Sequence, residues 1–212
     1  MRRCSVLRPA GAHYTGAMQE PWVVVISGPP CSGKSRLAGR LAGRTGWPCL
    51  AKDPFKEVLF DSLGTGDATW SARLSQAAFE LLFVAADAVL ATGQDLLLEG
   101  NFRAPEHGER LGRLVAGRAR LVEVACQADP GLLVSRHAAR AADGSRHPGH
   151  LDALRPWDPS ALVRYAPLGI KPGFVFDSGS DLGDEPLFDA LAAAGVPVPR
   201  DGAWSRTGDT GR

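Results

Sequence analysis

The feature that most constrains this chain is the run from position 28 to 35, which matches the pattern G-x-x-x-x-G-K-[S/T] in full. The preceding segment, Trp22–Ser27, is apolar and rich in β-branched residues, as expected for a strand buried on both faces of a parallel sheet. A helical pattern begins at Lys34. Because a strand, a glycine-rich turn and a helix follow in this order, the sequence predicts a P-loop that binds a nucleoside triphosphate, ATP with Mg2+.

Each residue type in this loop has a physical role toward phosphate. Glycines let the backbone curl so that successive N–H groups point at phosphate oxygens, and the following helix directs its positive end at the same anion. We expect Lys34 to reach the β- and γ-phosphates, the Ser35 hydroxyl to bind magnesium and Ser32 to donate a further hydrogen bond. The predicted nucleotide site comprises Gly28, Pro29, Pro30, Cys31, Ser32, Gly33, Lys34 and Ser35.

Strand and helix patterns alternate along the rest of the chain. Further strands are predicted over Trp47–Ala51, Asp95–Glu99, Arg120–Cys126 and Gly173–Asp177. Helices are predicted over Lys34–Arg44, Asp53–Leu63, Trp70–Thr92, Ala104–Arg118, Asp129–Ala142 and Glu185–Ala194. This alternation indicates an α/β protein with the three-layer P-loop NTPase fold, in which helices cover both faces of a five-stranded, mostly parallel sheet.

The same patterns divide the chain into one domain with two extensions. We expect the domain over residues 21–195, with a small helical lid at about 129–158 that ends in a mobile loop over 143–159. Residues 1–20 and 196–212 lack periodicity and are expected to be disordered, and Met18 is an alternative start.

Composition narrows the classes of partner. The net charge is +1 with both signs scattered, so a nucleic-acid partner is disfavoured. There is no uninterrupted apolar run of about 20 residues, which argues against a membrane span. The four cysteines form no C-x-x-C pair, which favours free thiols in the cytoplasm.

Three motifs in order make the chain resemble the small P-loop kinases, an AAA-type ATP-binding group that includes chloramphenicol phosphotransferase, zeta toxin and the kinase domain of polynucleotide kinase. They are the P-loop, the segment 52–56 (KDPFK) and the later pair Arg136 and Arg140. The resemblance implies that Asp53 is the base that takes the proton of an acceptor hydroxyl and that Lys56 binds the acceptor. From the residues alone, Asp53 can also be a simple helix cap.

A second acid, Glu99, ends a predicted core strand. In P-loop proteins an acid at such a position holds magnesium, usually through water. Glu99 can alternatively contact the acceptor, and the nearby Asn101 and Arg103 are candidates for the acceptor pocket.

The resemblance also implies a lid and a loop beside the adenine. Arg136 and Arg140 are four residues apart and share one helical face, resembling the arginines that close over the triphosphate in small-molecule kinases. Arg146 is a further candidate in the following loop. The resemblance places Ser178 and Gly179 beside the adenine. A metal site at His147 and His150 is disfavoured because no third ligand accompanies the pair.

The acceptor is expected to be a small hydroxylated molecule, such as an antibiotic, a nucleoside or another metabolite. Four aromatic residues would border its pocket or belong to the core: Phe55, Phe60, Phe79 and Phe83. Two alternatives stay open. One is a switch-type NTPase without an acceptor, and the other is a kinase acting on a polynucleotide or sugar-nucleotide hydroxyl. Guanine specificity is disfavoured because the chain has no N-K-x-D-like segment.

Overall fold

A five-stranded parallel sheet lies at the centre of the computed structural model, which describes residues 20–144, 146–154 and 158–199. The strands are β1 (Trp22–Ser27), β2 (Cys49–Ala51), β3 (Leu96–Glu99), β4 (Arg120–Gln127) and β5 (Gly173–Asp177). Their order is β2-β3-β1-β4-β5, and every neighbouring pair is parallel. The carboxyl ends of all five strands therefore meet at one edge of the sheet, where ligands bind in folds of this kind.

Helices cover both faces of the sheet. They are α1 (Lys34–Thr45), α2 (Lys52–Leu63), α3 (Ala68–Leu90), α4 (Glu109–Val115), α5 (Pro130–Asp143) and α6 (Glu185–Ala193). A π-helix spans Ala104–Gly108, and short 3-10 helices span Pro148–His150, Asp152–Leu154 and Pro159–Tyr165.

Strand β1 shows why the fold has three layers. Its residues Val24 and Ile26 pack into one apolar core with residues of α1 and α6, whereas Val23 and Val25 pack into a second core with α3 and α4. All four valine and isoleucine side chains are completely buried. Burying each of these side chains contributes about 1.5–3 kcal/mol to the stability of the fold. The expected P-loop NTPase fold is therefore confirmed, and the sheet is wholly parallel.

Two predicted segments differ from the structure. The helix expected over Ala104–Arg118 is divided into the π-helix and α4, and it ends at Val115. The loop expected to be mobile over 143–159 contains short 3-10 helices, and its His147 ring stacks on the Phe60 ring of α2 at 5.1 Å between centroids. Tertiary packing of this polar segment on α2 is not visible in its local sequence.

The domain boundaries expected from the sequence are only partly within the described residues. Val196 and Val198, at the start of the predicted tail, are buried in the core shared by α1 and α6. The core therefore continues past residue 195. Residues 1–19 and 200–212, where the two extensions were expected, lie outside the described residues. Within the described chain, no helix combines the length and apolar character that crossing a membrane requires.

Candidate nucleotide and acceptor site

The P-loop connects β1 to α1 in a conformation that depends on glycine. Gly28 has a φ of 138°, and a Cβ there would lie 2.2 Å from the carbonyl oxygen of Cys126. Gly33 caps α1 in the left-handed region with a φ of 80°. Lys34 is buried, and its Nζ donates to the carbonyl oxygen of Pro29 at 2.8 Å. The Ser32 hydroxyl is buried and has no hydrogen-bond partner among the described residues, which is unusual for a buried polar group.

Glu99 lies next to the P-loop because β3 pairs with β1. Its carboxylate accepts a hydrogen bond from the Ser35 hydroxyl at 3.3 Å and is 6% exposed. Burial raises the pKa of Glu99, although the nearby Lys34 ammonium opposes the increase. A hydroxyl beside a buried carboxylate fits Mg2+, which protein sites bind through few side chains together with substrate phosphates. The described residues contain no cluster of three or more acidic, histidine or cysteine ligands.

Asp53 lies in the first turn of α2, directly after β2, and faces the same cleft. One of its oxygens accepts a hydrogen bond from Lys52 Nζ at 3.0 Å, and the other contacts Arg146. Burial alone would raise the pKa of Asp53, but the two cations outweigh burial and hold the pKa below its usual range. In this structure Asp53 is therefore an ionised carboxylate held by two cations.

Arg140 and Arg146 converge on Asp152. Arg140 Nε lies 2.9 Å from one Asp152 oxygen, and Arg146 Nη1 lies 3.2 Å from the other. Among the described residues, no partner accepts a hydrogen bond from the buried Nη2 of Arg140. Burial alone would lower the pKa of Arg146, but Asp53 and Asp152 raise it. Both guanidinium groups thus line the cleft on the side of the P-loop.

Arg136 has different partners from Arg140, although the two share a face of α5. Its Nη1 donates to the Ser178 hydroxyl at 2.7 Å and to the carbonyl oxygen of Cys31 at 3.3 Å. Its Nη2 donates to the carbonyl oxygen of Ser178 at 3.0 Å. Arg136 therefore joins α5 to the P-loop and to the loop after β5, where the Gly179 N–H donates to Asp177 at 2.9 Å.

One continuous cleft of about 1370 Å3 joins these groups to the candidate acceptor residues. Lys56, Asn101 and Arg103 all line it. Lys56 is buried and donates to the Ser71 hydroxyl at 2.9 Å, and Arg103 pairs with Glu106 at 3.2 Å.

The four candidate aromatic residues separate into two groups. Phe79 and Phe83 line the cleft, whereas Phe60 is fully buried beneath the Pro148–His150 turn. Phe55 packs against the core between the sheet and α3. The structure thus leaves two of the four aromatic rings beside the cleft.

His147 and His150 contact different carboxylates. His147 Nε2 lies 3.2 Å from Asp61, and His150 Nε2 lies 3.0 Å from Glu57. Burial and the Arg146 cation lower the pKa of His150 to about 3. His150 is therefore neutral near pH 7, and its contact with Glu57 is a hydrogen bond rather than an ion pair.

Three residues of the site were not predicted from the sequence. Lys52 is buried beside Asp53, Asp152 pairs with Arg140 and Arg146, and His107 lines the cleft. For Lys52, the adjacent Asp53 was the only hint. Asp152 and His107 acquire their partners through folding of a loop and a π-helix.

Comparison with known proteins agrees with this geometry. Residues 23–155 match the AAA_33 family, an AAA domain. A crystal structure of a candidate kinase from Chloroflexus aurantiacus J-10-fl is 33% identical, with a TM-score of 0.75, and the match covers 82% of this chain and 98% of that one. A sugar kinase from Janibacter sp. HTCC2649 is 15% identical, with a TM-score of 0.55, and the match covers 84% of this chain and 96% of that one. None of the curated proteins matches this chain. The chain therefore belongs to the AAA_33 family and, as its motifs indicated, has the fold of the small P-loop kinases.

Proposed function

We propose that this protein is an ATP-dependent kinase that transfers the γ-phosphate to a hydroxyl group of a small molecule. One observation carries the proposal: the Asp53 carboxylate faces the same cleft as the P-loop and contacts Arg146, one of two lid arginines held together by Asp152. A switch-type NTPase requires no such carboxylate beside its phosphate site. The 33% identity to the Chloroflexus candidate kinase supports the same function.

The P-loop residues supply the nucleotide half of the reaction. In the proposal, the backbone N–H groups from Gly28 to Ser35 and the Lys34 ammonium hold the phosphates. The orphaned Ser32 hydroxyl supplies another donor. The Ser35 hydroxyl and, more remotely, Glu99 would hold Mg2+. When bound, the ion would supply positive charge toward the phosphates.

Asp53 acts on the acceptor as a general base. It accepts the proton of the acceptor hydroxyl as the oxygen forms its bond to the γ-phosphorus and the bond to ADP breaks. With both cations in place Asp53 is a weak base, because its pKa lies below the usual range. A bound γ-phosphate competes for Arg146, so that the pKa of Asp53 rises as the triphosphate binds. Lys56, Asn101 and Arg103 border the acceptor and orient it.

The lid arginines provide charge stabilisation and close the site. Arg140 has a buried N–H group that no described residue accepts, and Arg146 can exchange Asp53 for phosphate. Arg136 holds α5 against the P-loop and against the Ser178 and Gly179 loop, which borders the adenine in this proposal. Closure excludes water and limits hydrolysis of ATP. The proposed enzyme works in the cytoplasm, where ATP is present and its thiols stay reduced.

The first test combines a panel of hydroxylated acceptors with Mg-ATP and follows both ADP release and acceptor mass. Asp53→Asn is the matched variant, since it keeps the shape of the side chain and removes its basicity. We expect one acceptor to gain a phosphate and the variant to lose at least about 100-fold in kcat, the usual contribution of a general base. The variant should bind ATP at least as tightly as the wild type, because Asp53 does not contribute to the P-loop and the neutral side chain competes less with the γ-phosphate for Arg146.

The opposite result would identify a switch-type NTPase. In that case ADP would form at the same rate with every acceptor and without any, and Asp53→Asn would leave this rate unchanged. Asp53 would then be only a residue of the first helical turn.

A further inference from the structure

His107 is a buried imidazole on the acceptor side of the cleft that the proposed chemistry does not use. It belongs to the π-helix Ala104–Gly108, a type of turn that is rare and often found at functional sites. Its ring centroid lies 4.0 Å from that of Phe79 and 5.7 Å from that of Phe102. The ring is therefore held rigidly, and the residue is 7% exposed where it meets the cleft.

The backbone of Arg103 selects the tautomer of this ring. The Arg103 N–H donates to His107 Nδ1 at 3.0 Å. Nδ1 also lies 3.2 Å from the Arg103 carbonyl oxygen, but that oxygen already accepts from the N–H groups of His107 and Glu106 at 2.9 and 3.2 Å. We therefore assign Nδ1 as the acceptor of the Arg103 N–H, which places the proton of the neutral ring on Nε2. Burial lowers the pKa of His107, which also favours the neutral ring.

The Nε2–H group is consequently a donor held ready for a ligand. Among the described residues no group accepts it, yet Nε2 is not one of the fully enclosed unpartnered atoms. The exposed edge of the ring, which lines the cleft, therefore includes Nε2. A donor in a concave site of this kind fixes the orientation of a ligand oxygen.

Each arginine next to His107 has a carboxylate partner, although the buried Nε of Arg103 has no hydrogen-bond partner among the described residues. Arg103 pairs with Glu106 at 3.2 Å, and Arg110 pairs with Glu80. The phosphate side of the cleft differs, since the four cations that line it outnumber its acids, which are Asp53, Glu99 and Asp152. The cations are Lys34, Arg136, Arg140 and Arg146. Positive charge thus exceeds negative charge where a triphosphate is expected. On the wall around His107, by contrast, the charges of the two arginines and the two glutamates cancel.

We propose that His107 binds the acceptor through Nε2–H, and that this acceptor is a neutral, polyhydroxylated molecule of the sugar or sugar-alcohol class. This inference rests on the proposed function, because it concerns the acceptor half of the same site. His107 acts as a binding and orienting residue, whereas Asp53 receives the proton. A phosphorylated or carboxylated acceptor would bring negative charge to a wall whose arginines are already paired.

The test measures binding by calorimetry, with a non-hydrolysable ATP analogue and Mg2+ present. The probes are glucose, sorbitol and ribose, each compared with an anionic counterpart: glucose 6-phosphate, gluconate and ribose 5-phosphate. Two variants distinguish the roles of the two ring nitrogens. His107→Asn keeps an acceptor near Nδ1 for the Arg103 N–H but lacks the distal donor, whereas His107→Gln places an amide N–H near Nε2.

We expect a neutral probe to bind more tightly than its anionic counterpart, and His107→Asn to weaken that binding about 10-fold or more, as loss of one buried hydrogen bond does. His107→Gln should retain most of the affinity, and neither variant should change the affinity for the ATP analogue. Tighter binding of the anionic members, or no binding of any neutral probe, would overturn the proposed acceptor class. Wild-type affinity in His107→Asn, with only a lower melting temperature, would show that His107 merely packs.

The two proposals can fail separately. If neutral probes bind in a manner that depends on His107 but gain no phosphate from Mg-ATP, the kinase proposal is wrong and the binding role of His107 stands. If an anionic acceptor is phosphorylated, the kinase proposal stands and the acceptor class proposed here is wrong.

Discussion

The carboxylate of Asp53 contacts two cations that come from different parts of the chain. Lys52 is its chain neighbour and is buried, whereas Arg146 comes from the lid segment 93 residues away. In the proposed function, Arg146 leaves the carboxylate when a phosphate binds it, whereas Lys52 stays beside Asp53. We therefore expect the pKa of Asp53 to depend on whether Arg146 contacts it.

Arg146→Met tests this coupling. Removing the cation eliminates one of the charges that lower the pKa of Asp53, so the acidic limb of the kcat/KM profile should move to higher pH. The value of kcat should fall by about 10³-fold if Arg146 also stabilises the transferring phosphate. Both quantities come from initial rates measured from pH 8 down to the lowest pH at which the protein stays folded, because the wild-type acidic limb is expected below about pH 4. Arg113→Met is the control, because Arg113 pairs with Glu109 on the exposed surface of α4. An acidic limb that stays in place would show that Arg146 does not control Asp53.

At the scale of elements, the Pro148–His150 turn positions the lid against α2. Ser71 of α3 donates to the Gly149 carbonyl oxygen at 3.1 Å, and the His150 ring packs edge-on against Phe60 at 5.5 Å. A Cβ at Gly149 would lie 2.6 Å from the Phe60 ring, which is fully buried. The absence of a side chain at this position therefore allows the turn to approach α2, and with it Arg146.

Gly149→Ala should lift this turn and weaken the contacts of Arg146 with Asp53. We expect a loss of stability of about 1–3 kcal/mol from overpacking, together with a lower kcat. Thermal unfolding and initial rates measure the two effects. Gly112→Ala is the matched control, since a Cβ at Gly112 in α4 would meet nothing within 4 Å and alanine is the better helix former. If both variants behave alike, close packing at Gly149 does not position the lid.

At the scale of the whole molecule, buried neutral histidines link stability to pH. Burial lowers the pKa of His107 and of His137, and burial with the Arg146 cation lowers that of His150 to about 3. In the unfolded chain these side chains bind protons near pH 6.5. Below that pH the unfolded state binds more protons than the folded state, and stability decreases. The folded state thus has the full stability associated with neutral histidines above about pH 6.5, and it loses this stability as the pH falls toward 3.

We therefore expect the free energy of unfolding to decrease between pH 7.5 and pH 5, by at most about 1.4 kcal/mol per pH unit for each histidine. Urea unfolding at several pH values measures it. Asp53 and Asp152, whose pKa values are lowered, lose their contribution only below about pH 4. Glu99, whose pKa is raised, has the opposite effect as the pH falls, so the comparison with a histidine variant is needed to assign the slope. His150→Asn should reduce the slope. An equal slope in the variant would assign the pH dependence to other groups.

Much of the fold could be predicted because its signals are local. The bounds of β1 and β5 agree with their apolar runs, and α1 begins at Lys34 as the P-loop pattern requires. The prediction of one continuous α-helix over Ala104–Arg118 was wrong, since helical periodicity cannot distinguish a π-turn from an α-helix. The folded turn at Pro148–His150 was missed because its stability comes from Phe60 and Ser71, which are distant in sequence.

The amino-acid sequence by itself determined the P-loop, the α/β alternation and the acids that follow β2 and β3, because spacing along the chain is enough to define a turn, a strand end or a helix face. Only the tertiary structure decided which partners those side chains have. It separated Arg136 from Arg140, joined Arg146 to Asp53 and oriented the His107 ring. Such contacts depend on packing and charge among segments far apart in the chain.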